Sequence, residues 1–518
     1  MLRKTLTFKS GEYWYGGAVN DGYLFPVGEQ DSYRIDLTYN DTYNQVNPLF
    51  ISSHGRYVWL EKAGIVCFEK GVMTIDAEEM EIDESCTDLR SAYKKASQKH
   101  FPPCGNTPPK QVFRAPQICS WIDLQQEQNQ EGILSYARSY VQNGGKAGLI
   151  IIDDKWQRDY GDWEFNEERF PDPKAMMDEL HALGFDVAVW LVPYVTPDTP
   201  TSERLLKADA FLKDESGKLL LADWFDGVSY VLDFTKQSAV DWLGGVVKRL
   251  KERYGLIGFK LDCGDAQYLD RNFKGGNEHN LLWAKVIDGK ESLVELRACY
   301  KFGGSACVQR LADKAHSWGV ELVNPDDIPN HGYLKYGFSA VLPAALAQGV
   351  LGYYFSCPDM VGGGLASDFE PNKPIDNELL IRWCQASTLM PAVQFSYAYW
   401  NSPDERVRNC MKACMAIREE YLEYILFLID NAARTGEPIV RYMEYEFPHD
   451  GLASVTEQYM LGDKYLVAPV LKKGQTQKEV YFPTATKWKQ RQSGNVFTGG
   501  KHVFDVTLET LLVFERMK

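Results

Sequence analysis

Eight short apolar segments lie between residues 117 and 396 and alternate with longer segments of helical pattern. Near-continuous apolar strands that are joined by helices form parallel sheets with both faces covered. Eight such units over roughly 300 residues predict an α/β fold, a (β/α)8 or TIM barrel. The predicted strands are QICSWI (117–122), GLIIID (148–153), DVAVWLVP (186–193), GFKLD (258–262), LVELRA (293–298), CVQRLAD (307–313), GYYFSC (352–357) and PAVQFS (391–396).

One link in this pattern is too short to contain a helix. The predicted fifth and sixth strands are joined only by CYKFGGSA, residues 299–306. A doubly wound open sheet is the structural alternative, but such a sheet normally carries a glycine-rich phosphate loop after an early strand. The sequence contains no such loop, so the barrel is the favoured architecture.

Segments with strand-like patterns flank the barrel on both sides. Residues 1–110 contain such runs between glycines and charged turns, and the proline-rich stretch SQKHFPPCGNTPPKQ marks their end. After residue 425, KYLVAPVL, KEVYFP and VFDVTLETLLVFER return to strand-like patterns. We therefore expect an N-terminal β-sandwich domain (1–110), the barrel (111–425) and a C-terminal β-sandwich domain (426–518).

The overall charge and the cysteine pattern limit the classes of partner. The net charge of the 518 residues is −15, which argues against nucleic acid or an anionic membrane surface as the main partner. The eleven cysteines are scattered without CxxC pairs, a pattern typical of reduced thiols in a cytosolic protein. The first residues lack the apolar core of a signal peptide, and no run of about 18 apolar residues occurs. We expect a cytoplasmic protein that does not span a membrane.

Charged side chains follow the C-terminal ends of several predicted strands, where barrel enzymes carry their catalytic groups. They are Asp153, Asp154, Asp262, Arg297, Asp313 and Asp359. Each of them alone could be a helix cap or a turn residue, but acids at four strand ends fit that interpretation poorly. Trp121, Trp156 and Trp190 stand near other strand ends. The set predicts an acidic cavity with aromatic walls, suited to a neutral polyhydroxylated ligand whose hydroxyls donate to carboxylates.

Two carboxyl groups on either side of the bond to be broken are what glycoside hydrolysis requires. One must stay ionised to attack or stabilise the sugar, and the other must hold a proton for the leaving group, so its pKa must be raised. Lys260 lies two residues before Asp262 and therefore on the same strand face, where its charge would favour the ionised form of Asp262. The alternative is an outward-facing Lys260 that extends along the surface.

Six ordered motifs extend over most of the chain: IIDDKWQRDYGDWEFNEERFPDPKAMMDELHALGF, GFKLDCGD, ELRACYKFGGSACVQRLADKAHSWG, GYYFSCPDMVGGG, ELLIRWCQASTLMPAVQFS and EQYMLGDKYLVAPVL. Together they resemble the motifs of glycoside hydrolase family 31. GFKLDCGD is similar to the family's nucleophile strand, and ELRACYKFGGSACVQRLADK is similar to the segment with its sugar-binding arginine and acid/base aspartate. Several long motifs in the same order are far more specific than any one of them.

The resemblance implies a retaining α-glycosidase with Asp262 as the nucleophile and Asp313 as the acid/base residue. It also implies a sugar subsite lined by Asp153, Asp154, Trp190, Lys260 and Arg297. Trp14 in EYWYGG would reach this site from the N-terminal domain. Asp359 would support the site or contact a sugar hydroxyl.

Two features depart from the family pattern. Asp265 stands where the family usually has glutamate, which shortens a side chain beside the nucleophile. The segment VELVNPDDIPNHGYLKYG looks longer than the usual link and contains Asp326 and Asp327. Because other family members carry the acid/base residue in a segment before the same helix, Asp327 is a rival to Asp313. A solvated turn is the plain alternative for this Asp-Asp pair.

The function expected from these features is hydrolysis of a small α-galactoside or α-glucoside. A catalytically weak sugar-binding or regulatory protein on the same scaffold is one alternative, which the presence of both carboxylates disfavours. A metal-dependent hydrolase is another, but the eight histidines show no HxH or HExxH spacing. We therefore expect a small carbohydrate partner and neither a metal nor another cofactor. The sequence leaves open whether copies of the chain form a homo-oligomer.

Overall fold

A ring of eight parallel strands lies between two β domains in the computed structural model of the chain, which describes residues 2–38, 44–270, 273–287, 289, 292–322 and 334–517. Three clusters of buried apolar side chains follow this division. The largest fills the barrel and the space beneath its helices, and the two smaller ones fill the N-terminal and C-terminal domains.

The N-terminal domain is a sandwich of two sheets. Its strands are β1 (Leu2–Thr7), β2 (Trp14–Ala18), β3 (Ser32–Asp36), β4 (Gln45–Ser52), β5 (Tyr57–Leu60), β6 (Ile65–Glu69), β7 (Val72–Ala77) and β8 (Met80–Asp83). One sheet has the order β1-β7-β6-β3, and the other joins β2, β4, β5 and β8. Buried and half-buried side chains alternate along β7, as expected for a strand with one face on a core.

The strands of the central part include all eight that the sequence predicts. They are β9 (Gln117–Cys119), β10 (Leu149–Ile152), β11 (Asp186–Leu191), β12 (Tyr194–Val195), β13 (Leu221–Trp224), β14 (Gly227–Val231), β15 (Gly258–Leu261), β16 (Leu293–Leu296), β17 (Cys299–Tyr300), β18 (Val308–Arg310), β19 (Val320–Leu322), β20 (Leu334–Tyr336), β21 (Ser356–Cys357) and β22 (Gln394–Phe395). The parallel sheet has the order β21-β18-β16-β15-β11-β10-β9-β22. A parallel bridge between Met360 and Gln394 joins its two ends, so the predicted barrel is confirmed.

Helices connect most of these strands and cover the barrel. They are α1 (Leu89–His100), α2 (Gln111–Arg114), α3 (Trp121–Leu124), α4 (Gln130–Gln142), α5 (Pro173–Ala182), α6 (Pro200–Lys207), α7 (Gln237–Tyr254), α8 (Gly276–Lys285), α9 (Val341–Val350), α10 (Asn377–Ser387) and α11 (Glu405–Thr435). Local signals set their ends. Asp172 caps α5 through the backbone N–H of Ala175, and α7 ends where Gly255 takes a left-handed φ of +66°.

The short link between the fifth and sixth barrel strands lies against the N-terminal domain. Its strand β17 pairs in parallel with β4, with Cys299 opposite Gln45 and Tyr300 opposite Val46. The Tyr300 side chain is part of the N-terminal core. A helix is unnecessary here because the N-terminal sheet supplies the backbone partners and covers the apolar side chains.

The C-terminal domain begins after α11. Its elements are β23 (Val440–Arg441), α12 (Met443–Glu446), β24 (Tyr459–Leu461), β25 (Tyr465–Ala468), β26 (Gln477–Gln490), β27 (Val496–Asp505) and β28 (Leu512–Met517). The strands form one sheet, and the register of β26 against β27 shifts between Phe482 and Lys487. The predicted boundary at residue 425 falls inside α11, which continues to Thr435 and ends at Gly436 with a φ of +73°. The amphipathic pattern of α11 continues past residue 425 without a glycine or proline that would end the helix. The β domain therefore begins later than we expected.

Candidate active site

The predicted site residues lie at the C-terminal ends of neighbouring barrel strands. Asp153 and Asp154 follow β10, Asp262 follows β15 and Arg297 follows β16. Parallel strands place these ends on one face of the barrel. Hydrogen bonds and ion pairs between residues of different strands, described below, bring them into one cluster.

Asp262 is buried and accepts hydrogen bonds on both carboxylate oxygens. The indole Nε1–H of Trp190 donates to Oδ2 over 3.0 Å, and the backbone N–H of Cys263 donates to Oδ1 over 2.7 Å. Arg297 Nε also donates to Oδ1. The turn after β15 aims the backbone at this carboxylate, with positive φ values at Cys263 and Gly264. A Cβ at position 264 would lie 2.4 Å from the Trp283 ring, so only glycine fits.

The surroundings of Asp262 stabilise its charged form. Burial alone would raise its pKa, but the positive charges of Arg297, Lys260 and Arg310 overcome burial and hold the pKa well below its usual value. The ionised form of Asp262 is therefore strongly favoured. A carboxylate that is held in its charged form is suited to attack or to stabilise a developing positive charge.

Arg297 joins Asp262 to Asp265. Its Nη2 donates to Asp265 Oδ2 over 2.7 Å while Nε contacts Asp262. The short side chain of Asp265, where the family pattern has glutamate, therefore still reaches the arginine. Burial and the neighbouring Asp262 charge raise the pKa of Asp265 to about 6, against the opposing charge of Arg297.

Lys260 points into the barrel and pairs with Asp153. Its Nζ lies 2.6 Å from Asp153 Oδ2, and the side chains of both residues are 3% exposed. The alternative of an outward-facing lysine is therefore wrong. Burial alone would lower the pKa of Lys260, but the Asp153 carboxylate reverses this effect and raises the pKa. Lys260 thus stays charged beside Asp262, as its strand position predicts.

Asp154 is held by a second group of polar side chains. Its carboxylate accepts hydrogen bonds from Gln157 Nε2 at 2.9 Å and from the Tyr160 hydroxyl at 3.0 Å. Burial raises the pKa of Asp154 to about 7, although Lys155 opposes this shift. Lys155 itself donates to Asp226 of the β13–β14 hairpin. Asp154 can therefore change its protonation state near neutral pH.

Aromatic rings form one wall of the site around Trp190. The Trp224 ring stacks on Trp190 with 6.4 Å between ring centroids and an interplanar angle of 15°. Tyr160 contacts both rings, and Trp163 packs edge-on against Trp190. Trp156 supports the wall from behind, because its Nε1–H donates to the Trp190 carbonyl over 2.9 Å.

Arg310 links the two remaining predicted acids. Its Nη1 donates to Asp313 Oδ1 at 2.5 Å and to Asp359 Oδ1 at 2.9 Å. Asp313 keeps 30% of its side chain exposed, whereas Asp359 is fully buried. Burial and the Asp313 charge raise the pKa of Asp359 to about 7, against the charges of Arg310 and Lys314. Asp359 therefore supports the site from beneath, and Asp313 faces the open side.

The loop after β21 closes against Asp313. A Cβ at position 364 would lie 2.8 Å from Asp313 Oδ1, so Gly364 leaves space for the carboxylate. The Gly364 carbonyl accepts a hydrogen bond of 2.9 Å from Trp121 Nε1. His316 fixes the same loop, since its Nδ1 lies 2.8 Å from the Gly362 carbonyl.

One predicted residue, Trp14, lies elsewhere. Trp14 is buried in the core of the N-terminal sandwich, with the Arg56 guanidinium 5.2 Å above its ring and Phe68 beside it, so it does not reach the site. Its aromatic character is explained by core packing. Asp326 and Asp327 lie outside the described residues.

Neither a metal site nor a membrane segment is found in the part of the chain that the structure describes. No three His, Cys, Asp or Glu side chains within it are grouped so that they could hold a metal ion. Across the same ranges, every helix falls short of the length and apolarity that a bilayer-spanning segment needs. The cysteines, all of which are described, are free thiols.

Models of two domains of one protein family match the sequence. The TIM-barrel domain of glycosyl hydrolases family 31 matches residues 107–297, and the C-terminal domain of that family matches residues 436–517. The chain belongs to glycoside hydrolase family 31. The family 31 C-terminal domain thus starts directly after α11, where the structure changes from helix to sheet.

Individual relatives agree with this family 31 membership. The chain is 30% identical over 415 residues to the myogenesis-regulating glycosidase of Mus musculus, covering 78% of this chain and 56% of the relative. It is 29% identical over 372 residues to a sulfoquinovosidase of Agrobacterium fabrum, covering 68% and 54% of the two chains. The chain thus spans little more than half the length of these relatives.

Solved structures of family 31 share the fold. The GH31 dextranase of Flavobacterium johnsoniae in complex with glucose superposes with a TM-score of 0.80 at 18% identity, covering 99% of this chain and 66% of that chain. A GH31 α-xylosidase from a soil metagenome, solved with xylose, has a TM-score of 0.80 at 21% identity and covers 99% and 79% of the two chains.

Three residues of the site are missing from the sequence prediction. Arg310, Tyr160 and Trp224 contact the predicted residues. Arg310 and Tyr160 lie within the quoted motifs, whereas Trp224 lies outside all of them. Arg310 stands three positions before Asp313 in the same predicted strand. Arg310 could have been predicted from its position as a charged residue on the inward face of a barrel strand. The same signal applies to Lys260.

Proposed function

We propose that the chain is a retaining α-glycosidase that hydrolyses a small α-galactoside or α-glucoside. The observation that carries this proposal is the presence of two different carboxyl groups at one face of the barrel. Asp262 follows β15 and is kept ionised by its neighbours, and the partly exposed Asp313 follows β18, which β16 separates from β15 in the sheet. Two carboxyl groups with these different surroundings suit a nucleophile and a general acid.

In the first step, a carboxylate oxygen of Asp262 attacks the anomeric carbon and the glycosidic bond breaks. Asp313 donates its proton to the departing oxygen, and a covalent glycosyl–enzyme ester remains. Oδ1 of Asp262 accepts two hydrogen bonds and Oδ2 accepts one. We assign the attack to Oδ2, because the oxygen with fewer donors keeps more of its electron density for the new bond.

In the second step, Asp313 accepts a proton from water as the water attacks the same carbon. The ester bond breaks, Asp262 is released as a carboxylate, and the anomeric configuration of the substrate is retained. Arg297 and Trp190 again stabilise the charge on Asp262. Arg310 stabilises the ionised Asp313 that exists between the two steps.

Asp359 tunes the acid in this proposal. Asp359 and Asp313 share Arg310, so ionisation of Asp359 weakens the preference of Arg310 for an ionised Asp313. Burial raises the pKa of Asp359 to about 7, so Asp359 loses its proton near neutral pH. Asp359 is therefore a positioning residue, while Asp262 and Asp313 are the catalytic pair.

The sugar subsite in this proposal combines the buried polar groups with the aromatic wall. Asp154 and the Lys260–Asp153 pair offer charged partners to hydroxyl groups, and Trp190 offers a ring edge. Known relatives include a sulfoquinovosidase and an α-xylosidase from Lactiplantibacillus pentosus, so the family alone does not select the sugar. We further propose a cytoplasmic location, which the eleven free thiols support.

A panel of nitrophenyl α- and β-glycosides tests the proposal. We expect release of nitrophenolate from an α-galactoside or an α-glucoside, loss of this activity in Asp262→Ala, and an α-configured sugar as the first product in NMR spectra. Hydrolysis of β-glycosides alone, or a first product of β configuration from an α substrate, would refute it.

A further inference from the structure

A cavity lies at the end of the barrel opposite Asp262. It has a volume of about 330 Å³. Ala115 and Pro116 line it directly before β9, and residues 143–146 line it between α4 and β10. These are N-terminal ends of barrel strands, so the cavity is separate from the site at the C-terminal ends.

The lining of this cavity is strongly basic, although the protein is acidic. Four cationic residues line it, and Glu419 is the only acid among its lining residues. The cations are Arg114, Lys146, Lys412 and Arg418. Glu419 pairs with Lys146 at 3.1 Å. Among the described residues, Arg114 and Lys412 have no ion-pair partner. A positive cluster in a protein of net charge −15 attracts anions to this one location.

Arg418 adds a buried positive charge to the lining of the cavity. It is 3% exposed, and its Nη1 and Nη2 groups donate to the carbonyls of Phe113, Thr388, Met390 and Pro391. No carboxylate of the described residues pairs with it, and its Nε has no hydrogen-bond partner there. A buried donor without a partner is costly, and an anionic ligand in the cavity would offset that cost.

Aromatic side chains complete the wall. Tyr140 and Trp400 line the cavity and pack against each other with 4.8 Å between ring centroids. The Trp400 Nε1–H is satisfied by Ser139 Oγ at 2.8 Å, so the ring offers carbon surface. A Cβ at position 145 would lie 2.5 Å from the Tyr140 ring. Gly145 therefore allows the loop of residues 143–146 to approach this ring. The lining of the cavity therefore combines cationic side chains with aromatic ones.

We propose that this cavity is a binding site for a small organic dianion of the phosphate monoester class. The phosphate would lie among Arg114, Lys412 and Arg418, and the organic part would contact Tyr140 and Trp400. A volume of about 330 Å³ matches the lower end of small-molecule sites. The site is independent of the glycosidase chemistry, because it shares no residue with the cluster around Asp262.

Calorimetric titration of the full chain with phenyl phosphate and with inorganic phosphate tests this site. We expect both to bind the native chain, phenyl phosphate more tightly, with a change in tryptophan fluorescence that Trp400→Phe reduces. The variant Arg114→Gln/Lys412→Gln should bind phenyl phosphate at least about tenfold more weakly, because it loses two charge-assisted contacts. The matched control Lys4→Gln/Lys489→Gln removes the same charge from exposed positions in the other two domains and should bind as the native chain does.

Three outcomes would overturn the proposal: no binding to the native chain, equal affinity of the cavity variant and the control, or displacement of phenyl phosphate by chloride at matched ionic strength. Circular dichroism melting verifies the fold of each variant. Should the double variant not fold, the single change Lys412→Gln on the exposed side of α11 provides the same comparison.

Discussion

Asp262 and Asp359 are both buried carboxyl groups, yet their surroundings shift their pKa values in opposite directions. Burial raises the pKa of each, but at Asp262 the charges of Arg297 and Lys260 overcome burial. At Asp359 burial prevails and the pKa rises to about 7. Groups of one chemical type thus take different protonation states at the same pH. Arg310 acts on both, because it donates a hydrogen bond to Asp359 and its charge lowers the pKa of Asp262.

Removal of Asp313 should affect substrates according to their leaving groups. We expect Asp313→Ala to lose about 10²–10⁴-fold in kcat/KM on disaccharides, whose alkoxide leaving groups need a proton. Nitrophenyl glycosides and glycosyl fluorides need little protonation, so they should retain more of the first step. Added azide should restore turnover and give a glycosyl azide of retained configuration, which product NMR can verify.

Two further variants complete this comparison. Asp262→Ala should lose activity on every substrate, because the nucleophile is needed whatever the leaving group. Asp327→Ala should show neither selectivity for good leaving groups nor azide rescue. Azide rescue of Asp327→Ala in place of Asp313→Ala would reverse the assignment of the acid/base residue.

Asp359 should set the alkaline limit of activity. The change Asp359→Asn removes a negative charge beside Arg310, so Arg310 favours the ionised carboxylate of Asp313 more strongly. The alkaline limb of the kcat/KM profile should therefore move to lower pH, while the acidic limb stays in place. Asp430→Asn, which removes an acid that pairs with Lys110 on the surface of α11, is the control. An unchanged alkaline limb in Asp359→Asn would show that Asp359 does not act on the acid.

Among the elements, the β13–β14 hairpin completes the mouth of the site. Trp224 stacks on Trp190, and Asp226 pairs with Lys155 next to Asp154. Phe225 at the turn between these two residues is 62% exposed. An exposed aromatic ring at the rim of an acidic site can pack against the leaving group of a bound substrate.

Loss of this ring should weaken aryl substrates without harming the fold. We expect Phe225→Ser to raise KM for nitrophenyl glycosides by about two- to tenfold, the usual worth of one aromatic contact, and to leave the melting temperature unchanged. Phe427→Ser, which removes a ring of 57% exposure from α11, should change neither value. An equal KM for the native enzyme and Phe225→Ser would show that the Phe225 ring of this hairpin does not contribute to substrate binding.

The barrel elements were predictable because each strand is a short apolar segment, and several of these segments end in a charged residue. Asp153, Asp262 and Arg297 therefore appear in the sequence as strand ends, and the structure brings them together. Contacts between distant elements carry no such local pattern, which is why Trp224 was missed. The prediction that Trp14 reaches the site failed for the same reason. No local sequence pattern distinguishes a tryptophan in the core of a β domain from a tryptophan that contacts a ligand.

At the scale of the whole molecule, the N-terminal domain supports the site through Gln45 of β4. The Gln45 Nε2 donates to the backbone carbonyl of Arg297 at 2.7 Å and to that of Arg310 at 2.8 Å. It is fully buried, and its own carbonyl accepts from Gln348 at 3.0 Å. The two arginines that contact Asp262 and Asp313 thus depend on one amide from another domain. The contribution expected from Trp14 comes instead from the strand that pairs with β17.

Replacement of Gln45 should therefore damage catalysis as well as stability. Gln45→Ala leaves two buried carbonyls without this donor, at a cost of about 1–3 kcal/mol each, and it frees the backbone of Arg297 and Arg310 to shift. A small misplacement of both arginines should lower kcat by about ten- to hundredfold.

Asn47→Ala is the matched control, because Asn47 Nδ2 also crosses the domain boundary but donates to the Leu351 carbonyl, away from both arginines. It should lower the melting temperature similarly and leave kcat within about twofold of the native value. Equal losses of kcat in the two variants would mean that the N-terminal domain acts only through general stability, and an unchanged kcat in Gln45→Ala would mean that the barrel alone holds the arginines in place.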